Sequence, residues 1–366
     1  MPSIVLVAPG PLEVRTGGYI YDCRLVEGLR RQGWLVNVLE LDASFPYPTP
    51  AALQHADRAL AAIRPGSVAI VDSLALGAMP ELITREASRL RLVALVHLPL
   101  AAAIGLDAET VARFEDGERR ALRAVVLVVV TGRAALPLIA TYGVAPSRVV
   151  VVEPGTDRAP LASGSCNAGP DVVAGVDRTR SLELLTVATL NPGKGHEMLL
   201  TALAAVRDVA WRLTCAGSLT RDAATVLRVR AAVETLGLGD RVSFTGDLDR
   251  HALAACYDRA DLFVLATQQE TYGMAVAEAL AHGLPVVSTM TGAIPELVGE
   301  DAGLVLPVGD APALANALAR VLRDDDLRVR LADGARRRRD QLPTWDETAT
   351  RMAAALSPFC GSNAYE

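Results

Sequence analysis

Short apolar runs alternate with helix-like stretches along most of the chain. This pattern predicts parallel β-sheet with helices on both faces, because strands buried on both sides need continuous apolar sequence. The first half contains six such runs: IVLVAP (4–9), WLVNVLEL (34–41), VAIVD (68–72), LVALVH (92–97), VVLVVV (125–130) and RVVVVE (148–153). Between them, segments such as Gly18–Arg31 and Thr110–Arg123 have helical patterns.

The alternation of apolar runs and helical patterns stops at Thr156–Arg180. This segment is rich in Gly, Ser, Ala and Pro, which is typical of a linker. A second series of apolar runs follows: SLELLTVATL (181–190), WRLTCAG (211–217), RVSFTG (241–246), DLFVLAT (261–267), LPVVST (284–289) and GLVLPV (303–308). We therefore predict two doubly wound α/β domains at residues 1–160 and 181–342. A linker covers 161–180, and 343–366 form a C-terminal segment.

Ligands of open α/β sheets bind beyond the carboxyl ends of the strands, where the strand order reverses. Two such sheets facing each other would hold a ligand in the cleft between them. This expectation directs attention to polar residues that directly follow predicted strands.

Composition narrows the class of protein. The 366 residues suit two domains, with 51% hydrophobic and 21% charged residues. A net charge of -6 gives no reason to expect a nucleic-acid partner. Five scattered cysteines and no signal-peptide features favour a reduced, cytoplasmic setting, with Cys215 and Cys256 as core thiols. No apolar run is long enough to span a membrane, and peripheral membrane contact stays open.

Three strand ends carry candidate ligand contacts. Gly17–Gly18 leads into a helix and could approach a phosphate, or simply form a turn. Lys194, in TLNPGKGHEMLLTAL (189–203), stands at a predicted helix start, where its ammonium would offset a diphosphate or remain an ordinary solvated charge. His97 ends the fourth strand and could donate to a sugar or phosphate oxygen, or be a core histidine.

Two glutamates accompany a predicted helix over Tyr272–Ala281, in QQETYGMAVAEALAHGLPVV (268–287). Glu270 precedes the helix and Glu278 lies about two turns inside it. Eight helical residues span roughly 12 Å, which exceeds the spacing of glycosidase carboxylate pairs and disfavours that class. The spacing suits two contacts along an extended ligand, with two solvated glutamates as the alternative.

Two charged motifs favour plainer interpretations. DLD (247–249) resembles a metal-binding Asp-x-Asp, but its position makes Asp249 a helix cap, and we expect no metal site. Arg336–Arg339 lie on a charged helix that is typical of a solvated face, although they could contact an acidic lipid or polymer.

Taken together, these segments resemble the retaining glycosyltransferases of family 4, which have the GT-B fold of two facing Rossmann-like domains. The resemblance rests on the early Gly-Gly loop, VVVVEPGTD, TLNPGKGHEMLLTAL, VSFTGDLDRHALAACYDRADLFVLAT with the two glutamates, and TGAIPELV. It covers nearly the whole chain. It also implies that the C-terminal segment around Trp345–Leu356 crosses back to the first domain.

The resemblance implies a role for each candidate. Glu270 contacts hydroxyls of the donor sugar, Glu278 holds the ribose, and Lys194 binds the diphosphate. The amides of Gly273, Met274 and Ala275 meet sugar and phosphate. His97 contacts the sugar, and Gly17 and Gly18 close over the phosphates or the acceptor.

The sequence also departs from the family pattern. Many relatives have an arginine, a second cation for the diphosphate, where this chain has Thr189, which puts donor affinity in doubt. EPGTD (153–157) replaces the usual Pro-Asn-Gly-Val-Asp, with Gly155 expected to keep the turn.

The resemblance implies transfer of a hexose from a nucleotide diphosphate sugar, UDP- or GDP-linked, to an acceptor hydroxyl. Transfer would occur with retention and without metal or another cofactor. The acceptor, a lipid, polysaccharide or small molecule, stays open. A non-catalytic nucleotide-sugar-binding protein of the same fold is the alternative, motivated by the missing arginine. An epimerase would need acid/base residues that the sequence does not indicate.

Overall fold

A computed structural model describes residues 1–167 and 181–360 of the chain. Residues 168–180, most of the predicted linker, and residues 361–366 lie outside the described part. The chain divides into two compact units, one formed by Met1–Gly155 with Pro343–Glu366, the other by Thr156–Leu342.

The first unit contains a six-stranded parallel sheet with the order β2-β1-β3-β4-β5-β6. Its strands are β1 (Ser3–Ala8), β2 (Leu35–Glu40), β3 (Val68–Asp72), β4 (Arg91–Val96), β5 (Leu127–Val130) and β6 (Val149–Val151). Its first six helices are α1 (Gly17–Arg31), α2 (Pro50–Ala61), α3 (Ser73–Leu76), α4 (Pro80–Glu86), α5 (Ala108–Ala124) and α6 (Leu136–Thr141).

The second unit contains a six-stranded parallel sheet with the order β12-β11-β10-β7-β8-β9. Its strands are β7 (Leu182–Val187), β8 (Trp211–Ala216), β9 (Val242–Gly246), β10 (Leu262–Leu265), β11 (Val286–Thr289) and β12 (Gly303–Leu306). Its helices are α7 (His196–Ala204), α8 (Ala223–Thr235), α9 (Arg250–Arg259), α10 (Met274–Ala281), α11 (Ile294–Val298), α12 (Ala311–Arg323) and α13 (Asp325–Arg339).

All twelve predicted strands are confirmed in the described part of the chain. Burial explains why the apolar runs located them: β3, β5, β10 and β11 are buried at every position because helices cover both faces of each sheet. The predicted core thiols Cys215 and Cys256 are also buried.

Strand order decides where ligands can bind. In the first sheet the order reverses at β1, which lies between β2 and β3. In the second sheet it reverses between β7 and β10, which are adjacent although some 70 residues separate them along the chain. The loops after these strands therefore meet at one edge of each sheet.

The last helix of the described chain, α14 (Trp345–Leu356), packs against α1 in the first unit. Trp345 contacts the Tyr21 ring edge-on, and a Cβ on Gly28 would lie 2.7 Å from the Cβ of Ala349. A Cβ on Gly155 would lie 2.3 Å from the backbone nitrogen of Trp345. Gly155, expected from the sequence to keep a turn, is therefore required because the chain passes directly against α14.

The basic end of α13 binds within its own unit. Arg336 pairs with Asp333, Arg337 and Arg338 both pair with Asp301, and Arg339 donates to the carbonyl of Ala159. These contacts weaken the interpretation of the four arginines as a binding patch. No helix in the described ranges combines the length and the apolar character needed to cross a membrane.

Candidate active site

Lys194 and Glu270, 76 residues apart in sequence, form an ion pair at the reversal point of the second sheet. Lys194 follows β7 and Glu270 follows β10. Their side chains are only 25% and 16% exposed, so the pair is partly shielded from water. The sequence predicted each residue as a ligand contact but did not predict that they contact each other.

One sequence signal for Lys194 was overlooked. Of the 36 Lys and Arg residues in the chain, Lys194 is the single lysine. A chain that uses arginine at every other basic position has a lysine only here. Lysine differs from arginine in being a compact point charge on a flexible stem, which can move from one oxygen partner to another.

The loop that carries Lys194 is pressed against the end of β10. Residues Pro192–Lys194 form a 3-10 turn, and Gly195, with φ of 65°, is the N-cap of α7. A Cβ on Gly195 would lie 2.0 Å from the carbonyl oxygen of Ala266, and the amide of Gln268 donates to Gly193 O at 2.7 Å. Lys194 therefore precedes the helix, which begins two residues later than the sequence predicted.

The loop that carries Glu270 is held by the TGAIPELV segment. The Glu270 amide donates to Thr291 Oγ1 at 3.2 Å, and the Ala293 amide donates to Thr271 O at 3.2 Å. Gly292 has φ of +59°, and a Cβ there would lie 2.6 Å from Glu270 O. This segment thus sets the position of the Glu270 backbone.

Helix α10 begins at Met274, two residues later than predicted, because Gly273 has a left-handed backbone with φ of 102°. A Cβ on Gly273 would also lie 3.0 Å from Ile294 Cγ1. No side chain caps this helix end. First-turn amides, here including those of Met274 and Ala275, have no acceptor within a helix, and the dipole behind them favours an anion.

Glu278 lies one turn inside α10 and accepts a hydrogen bond from the hydroxyl of Tyr257 at 2.9 Å. Tyr257 is buried and stacks on His282 and on Phe263, with ring centroids 4.8 and 6.1 Å away. Sequence analysis did not single out Tyr257. The two glutamates thus have different partners, Lys194 for one and Tyr257 for the other.

Two further positions border the Lys194 loop. Thr189, half-buried, lies two residues beyond β7, where relatives were expected to have arginine. His196, the first residue of α7, is buried, and neither ring nitrogen has a hydrogen-bond partner within residues 1–167 and 181–360. Burial, reinforced by the positive charge of Lys194, lowers the pKa of His196 to about 4, so its imidazole is neutral.

In the first unit, His97 lies between two aspartates at the edge where the strand order reverses. Its Nε2 is 3.0 Å from Asp22 Oδ1, on α1, and 3.3 Å from Asp72 Oδ2, at the end of β3. A Cβ on Gly18 would lie 3.2 Å from His97 Cδ2. The structure therefore joins the predicted residues Gly18 and His97 directly, with Gly17 as the first residue of α1. The contacts of Asp22 and Asp72 with His97 could not be predicted from their spacing in the sequence.

The charges of this cluster depend on one another. Burial raises the pKa of Asp22 to about 6, against the lowering effect of His97. Burial alone would lower the pKa of His97, but the charges of and hydrogen bonds to Asp22 and Asp72 outweigh it and raise that pKa to about 10. The imidazole is therefore charged at neutral pH.

The same three residues are the one group in residues 1–167 and 181–360 whose His, Cys, Asp or Glu ligand atoms lie within 4.8 Å of one another. The distances of 3.0 and 3.3 Å from Nε2 to the two carboxylates allow hydrogen bonds, in which Nε2 carries the proton and each carboxylate accepts. The DLD motif carries a cap, as predicted: Asp249 accepts a hydrogen bond from the Ala252 amide at 2.8 Å.

Comparisons with a family model and with curated relatives both point to glycosyltransferases. Residues 176–338 match the sequence model of the glycosyl transferases group 1 family. A D-inositol 3-phosphate glycosyltransferase from Corynebacterium efficiens is 30% identical over 245 residues, covering 63% of this chain and 56% of the relative. One from Salinispora arenicola is 33% identical over 265 residues, covering 68% and 58%. The chain thus spans just over half the length of these curated relatives.

Solved structures extend the likeness over almost the whole chain. A sucrose-phosphate synthase from Thermosynechococcus elongatus superposes with a TM-score of 0.81 at 21% identity, covering 98% of this chain and 99% of that one. Anabaena HepE in complex with UDP-glucose superposes with a TM-score of 0.75 at 17% identity, covering 98% and 100%. At these identities the likeness shows the fold, and it confirms two Rossmann-like domains. The chain therefore belongs to the glycosyl transferases group 1 family and has the GT-B fold.

Proposed function

We propose that this protein is a retaining glycosyltransferase that moves a hexose from a nucleotide diphosphate sugar to an acceptor hydroxyl, without a metal. The observation that carries the proposal is the meeting of Lys194 and Glu270 at the reversal point of the second sheet. Together with the uncapped start of α10 and with Glu278, it supplies a cation, a set of backbone donors and two carboxylates. That set matches a diphosphate flanked by a sugar and a ribose.

Each residue then has a separate task. Lys194 and the amides of Met274 and Ala275 stabilise the negative charge that develops on the leaving diphosphate. When Lys194 moves to the phosphate, Glu270 becomes free to accept hydrogen bonds from sugar hydroxyls. Glu278 holds the ribose. Binding of the diphosphate would thus prepare the sugar contact, because one ion pair is exchanged for two ligand contacts.

The chemical step needs no enzyme nucleophile in this proposal. The acceptor hydroxyl attacks the anomeric carbon from the side of the leaving group, the bond to the diphosphate oxygen breaks, and the diphosphate takes the acceptor proton. The protein contributes orientation and charge stabilisation. Sequence resemblance, rather than a measured reaction, supports retention and metal independence.

Donor and acceptor classes follow from the compared proteins. HepE has been crystallised with UDP, glucose and UDP-glucose, which supports UDP-hexoses as the first donors to test, ahead of GDP-sugars. The curated relatives are named for D-inositol 3-phosphate, so a polyol phosphate joins lipid, polysaccharide and small-molecule hydroxyls as acceptor candidates.

The test is a panel of UDP-, GDP- and ADP-sugars, measured by thermal shift and by slow donor hydrolysis. We expect one base to raise the melting temperature and to support hydrolysis. Because the chain has one lysine, [15N]lysine labelling gives a single side-chain signal, which should shift on binding the matching nucleoside diphosphate. If no nucleotide moves this signal or the melting temperature, the proposal is wrong.

Two variants separate the role of Lys194 in binding the diphosphate from the role of Glu270 in binding the sugar. Lys194→Ala should weaken nucleoside diphosphate binding by roughly 10- to 100-fold, since a charge-assisted contact is lost. Glu270→Ala should lose turnover with less than about a threefold change in nucleotide affinity, because its contact is with the sugar rather than the diphosphate. Arg320→Ala, on helix α12 of the same unit, is the charge-removal control and should change neither quantity.

A non-catalytic nucleotide-sugar-binding protein is the second candidate, favoured by Thr189 at the place of a second cation. It predicts donor binding without hydrolysis or transfer. The retained Lys194, Glu270 and Glu278 favour the enzyme. Detectable hydrolysis that disappears in Glu270→Ala would exclude the binding protein.

A further inference from the structure

His97 is held on several sides by elements of the first unit. Gly18 lies under its Cδ2 edge, and the Tyr21 ring meets it edge-on at 5.2 Å with an interplanar angle of 75°. Asp22 and Asp72 bind its Nε2. Because α1 and β3 both contribute, the orientation of the imidazole is set by the fold rather than by its own rotamer preference.

The two aspartates are themselves fixed. Asp72 is the N-cap of α3, and its Oδ1 accepts a hydrogen bond from the Leu74 amide at 2.7 Å, which leaves Oδ2 for His97. The Asp22 side chain is 1% exposed, and its Oδ2 has no partner among the described residues. Two buried carboxylates therefore face a single ring nitrogen, and that nitrogen must carry a proton to bind either of them.

The second ring nitrogen has a different environment. Nδ1 has no hydrogen-bond partner in the described chain, and it is not fully buried. The His97 side chain is 19% exposed. Nδ1 is thus the atom of His97 that a ligand can reach. Whether it donates or accepts depends entirely on the charge of the ring.

The charged groups that face the His97 imidazole both favour its protonated form. Tyr21 and Asp22 belong to α1 and Asp72 ends β3. The hydroxyl of Tyr21 donates to Val152 O at 2.9 Å, and burial raises its pKa, so it stays neutral. The charges near the ring are therefore the two carboxylates, and both favour the protonated form.

We propose that Asp22 and Asp72 are positioning residues that lock His97 as an imidazolium, with Nε2–H bound inward and Nδ1–H presented as a fixed hydrogen-bond donor. The proposal rests on the proposed function for the identity of the ligand, a nucleotide sugar or its acceptor. It adds a restriction: His97 cannot act as a proton acceptor at neutral pH. Its Nδ1–H binds an oxygen lone pair, and a charged donor favours an anionic oxygen over a hydroxyl.

The direct test is the protonation state of His97, which needs no turnover. The chain contains five histidines, so [15N]histidine labelling gives few signals, and His97→Gln identifies the one that matters. We expect both nitrogens of His97 to remain protonated at pH 8. Asp72→Asn is the informative variant, because asparagine still caps α3 but loses the charge. It should lower the proton affinity of His97 at least tenfold, as should Asp22→Asn.

Asp107→Asn is the matched control. Asp107 also lies in the first unit and caps a helix, accepting from the Thr110 amide at 2.7 Å, but it does not contact His97. It should leave the His97 signal unchanged. A neutral His97 at pH 8 in the unmodified protein would overturn the proposal. So would a stoichiometric divalent metal in the purified protein that is lost in Asp22→Asn, since the cluster would then be a metal site.

The functional test is the pH profile of donor turnover. The unmodified enzyme should show no loss attributable to His97 between pH 6.5 and 9. Asp72→Asn should lose at least tenfold in kcat/KM as the pH rises from 6 to 8, with most activity recovered at pH 6. A uniform loss at all pH values would indicate a merely structural role and contradict the proposal. Absence of any turnover would refute the proposed function, while the histidine signals would still decide this inference.

Discussion

At the scale of single residues, the candidate active site of the second unit depends on side chains that fix the position of the ligand-binding side chains. Lys194 and Glu270 are paired with each other, and Glu278 accepts from a buried tyrosine hydroxyl. A carboxylate fixed by a hydrogen bond loses less conformational freedom when it binds a ligand, so such partners affect affinity without touching the ligand. Tyr257 is the clearest case, because its buried ring stacks on His282 and on Phe263 while its hydroxyl binds Glu278.

Tyr257→Phe should therefore weaken binding of the preferred nucleoside diphosphate about 3- to 10-fold, corresponding to roughly one hydrogen bond of about 1 kcal/mol. The loss should be smaller for the 2′-deoxy form of the same nucleotide if Glu278 binds the ribose hydroxyls. Isothermal titration of both nucleotides measures this difference.

The matched control is Tyr142→Phe. Tyr142 is also buried and donates to a carboxylate, Glu118 Oε2, at 2.7 Å, but in the first unit. Both variants should lose some stability, and only Tyr257→Phe should lose nucleotide affinity. Equal affinity losses in the two variants would show that the effect is general destabilisation.

At the scale of elements, glycines allow loops to lie close together at the edge of the second sheet. Gly195 lets the Lys194 loop contact β10, Gly273 starts α10, and Gly292 lies against the backbone of Glu270. All three have positive φ, where a side chain is strained, and all three also lack space for a Cβ. Backbone contacts at Gly195 and Gly292 and a side-chain contact at Gly273 thus set the position of the catalytic candidates.

Gly292→Ala should displace Glu270, because the new Cβ would lie 2.6 Å from Glu270 O. We expect at least a tenfold loss of turnover together with roughly 1–2 kcal/mol of lost stability from the left-handed backbone. Turnover and thermal unfolding measured on the same preparation report both.

Gly309→Ala separates the two effects. Gly309 has a similar φ of +79°, but no atom lies within 4 Å of its added Cβ. It should lose comparable stability and keep turnover within about twofold, since backbone strain is the same and the Glu270 loop is untouched. If both variants lost turnover equally, Gly292 would have no special role.

At the scale of the whole molecule, buried titratable groups shape how stability depends on pH. His196, with a pKa lowered to about 4, stays neutral while the same residue in the unfolded chain protonates near 6.5. The folded state therefore loses stability as pH falls from 6.5 towards 4. His97, with a pKa raised to about 10, has the opposite sign: its contribution is lost as pH rises from 6.5 to 10. Asp22 adds a smaller loss as pH rises from 3.8 to 6.

His196→Leu should reduce the loss of stability on acidification from pH 7 to 4.5. The imidazole makes no hydrogen bond to the described part of the chain, so leucine removes none there. At about 1.4 kcal/mol per pKa unit, the effect on stability could reach roughly 3 kcal/mol. Denaturant unfolding at both pH values measures it. The exposed control His55→Leu should follow the unmodified protein. An equal loss of stability between pH 7 and 4.5 in the unmodified protein and in both variants would contradict the prediction.

Much of this protein was predictable from local sequence. The central strands are continuous apolar runs because they are buried on both faces, and all twelve strands could be located without tertiary information. Glu270, Lys194 and His97 were found because they lie beyond strand ends, and Glu278 was found from its spacing to Glu270. The Asp249 cap was likewise a local feature. The family resemblance rested on these same segments.

Tertiary structure alone decided which of these residues meet. Strand order brings Lys194 to Glu270 across 76 residues and Asp22 to His97 across 75, and local patterns carry no information about order. The roles of Tyr257 and Asp72, and the reason for Gly155, depend on contacts between distant segments in the same way. Sequence by itself determined the elements and the candidate chemistry, because both depend on neighbouring residues. The fold determined the partners, charge states and close backbone contacts, because these depend on packing in three dimensions.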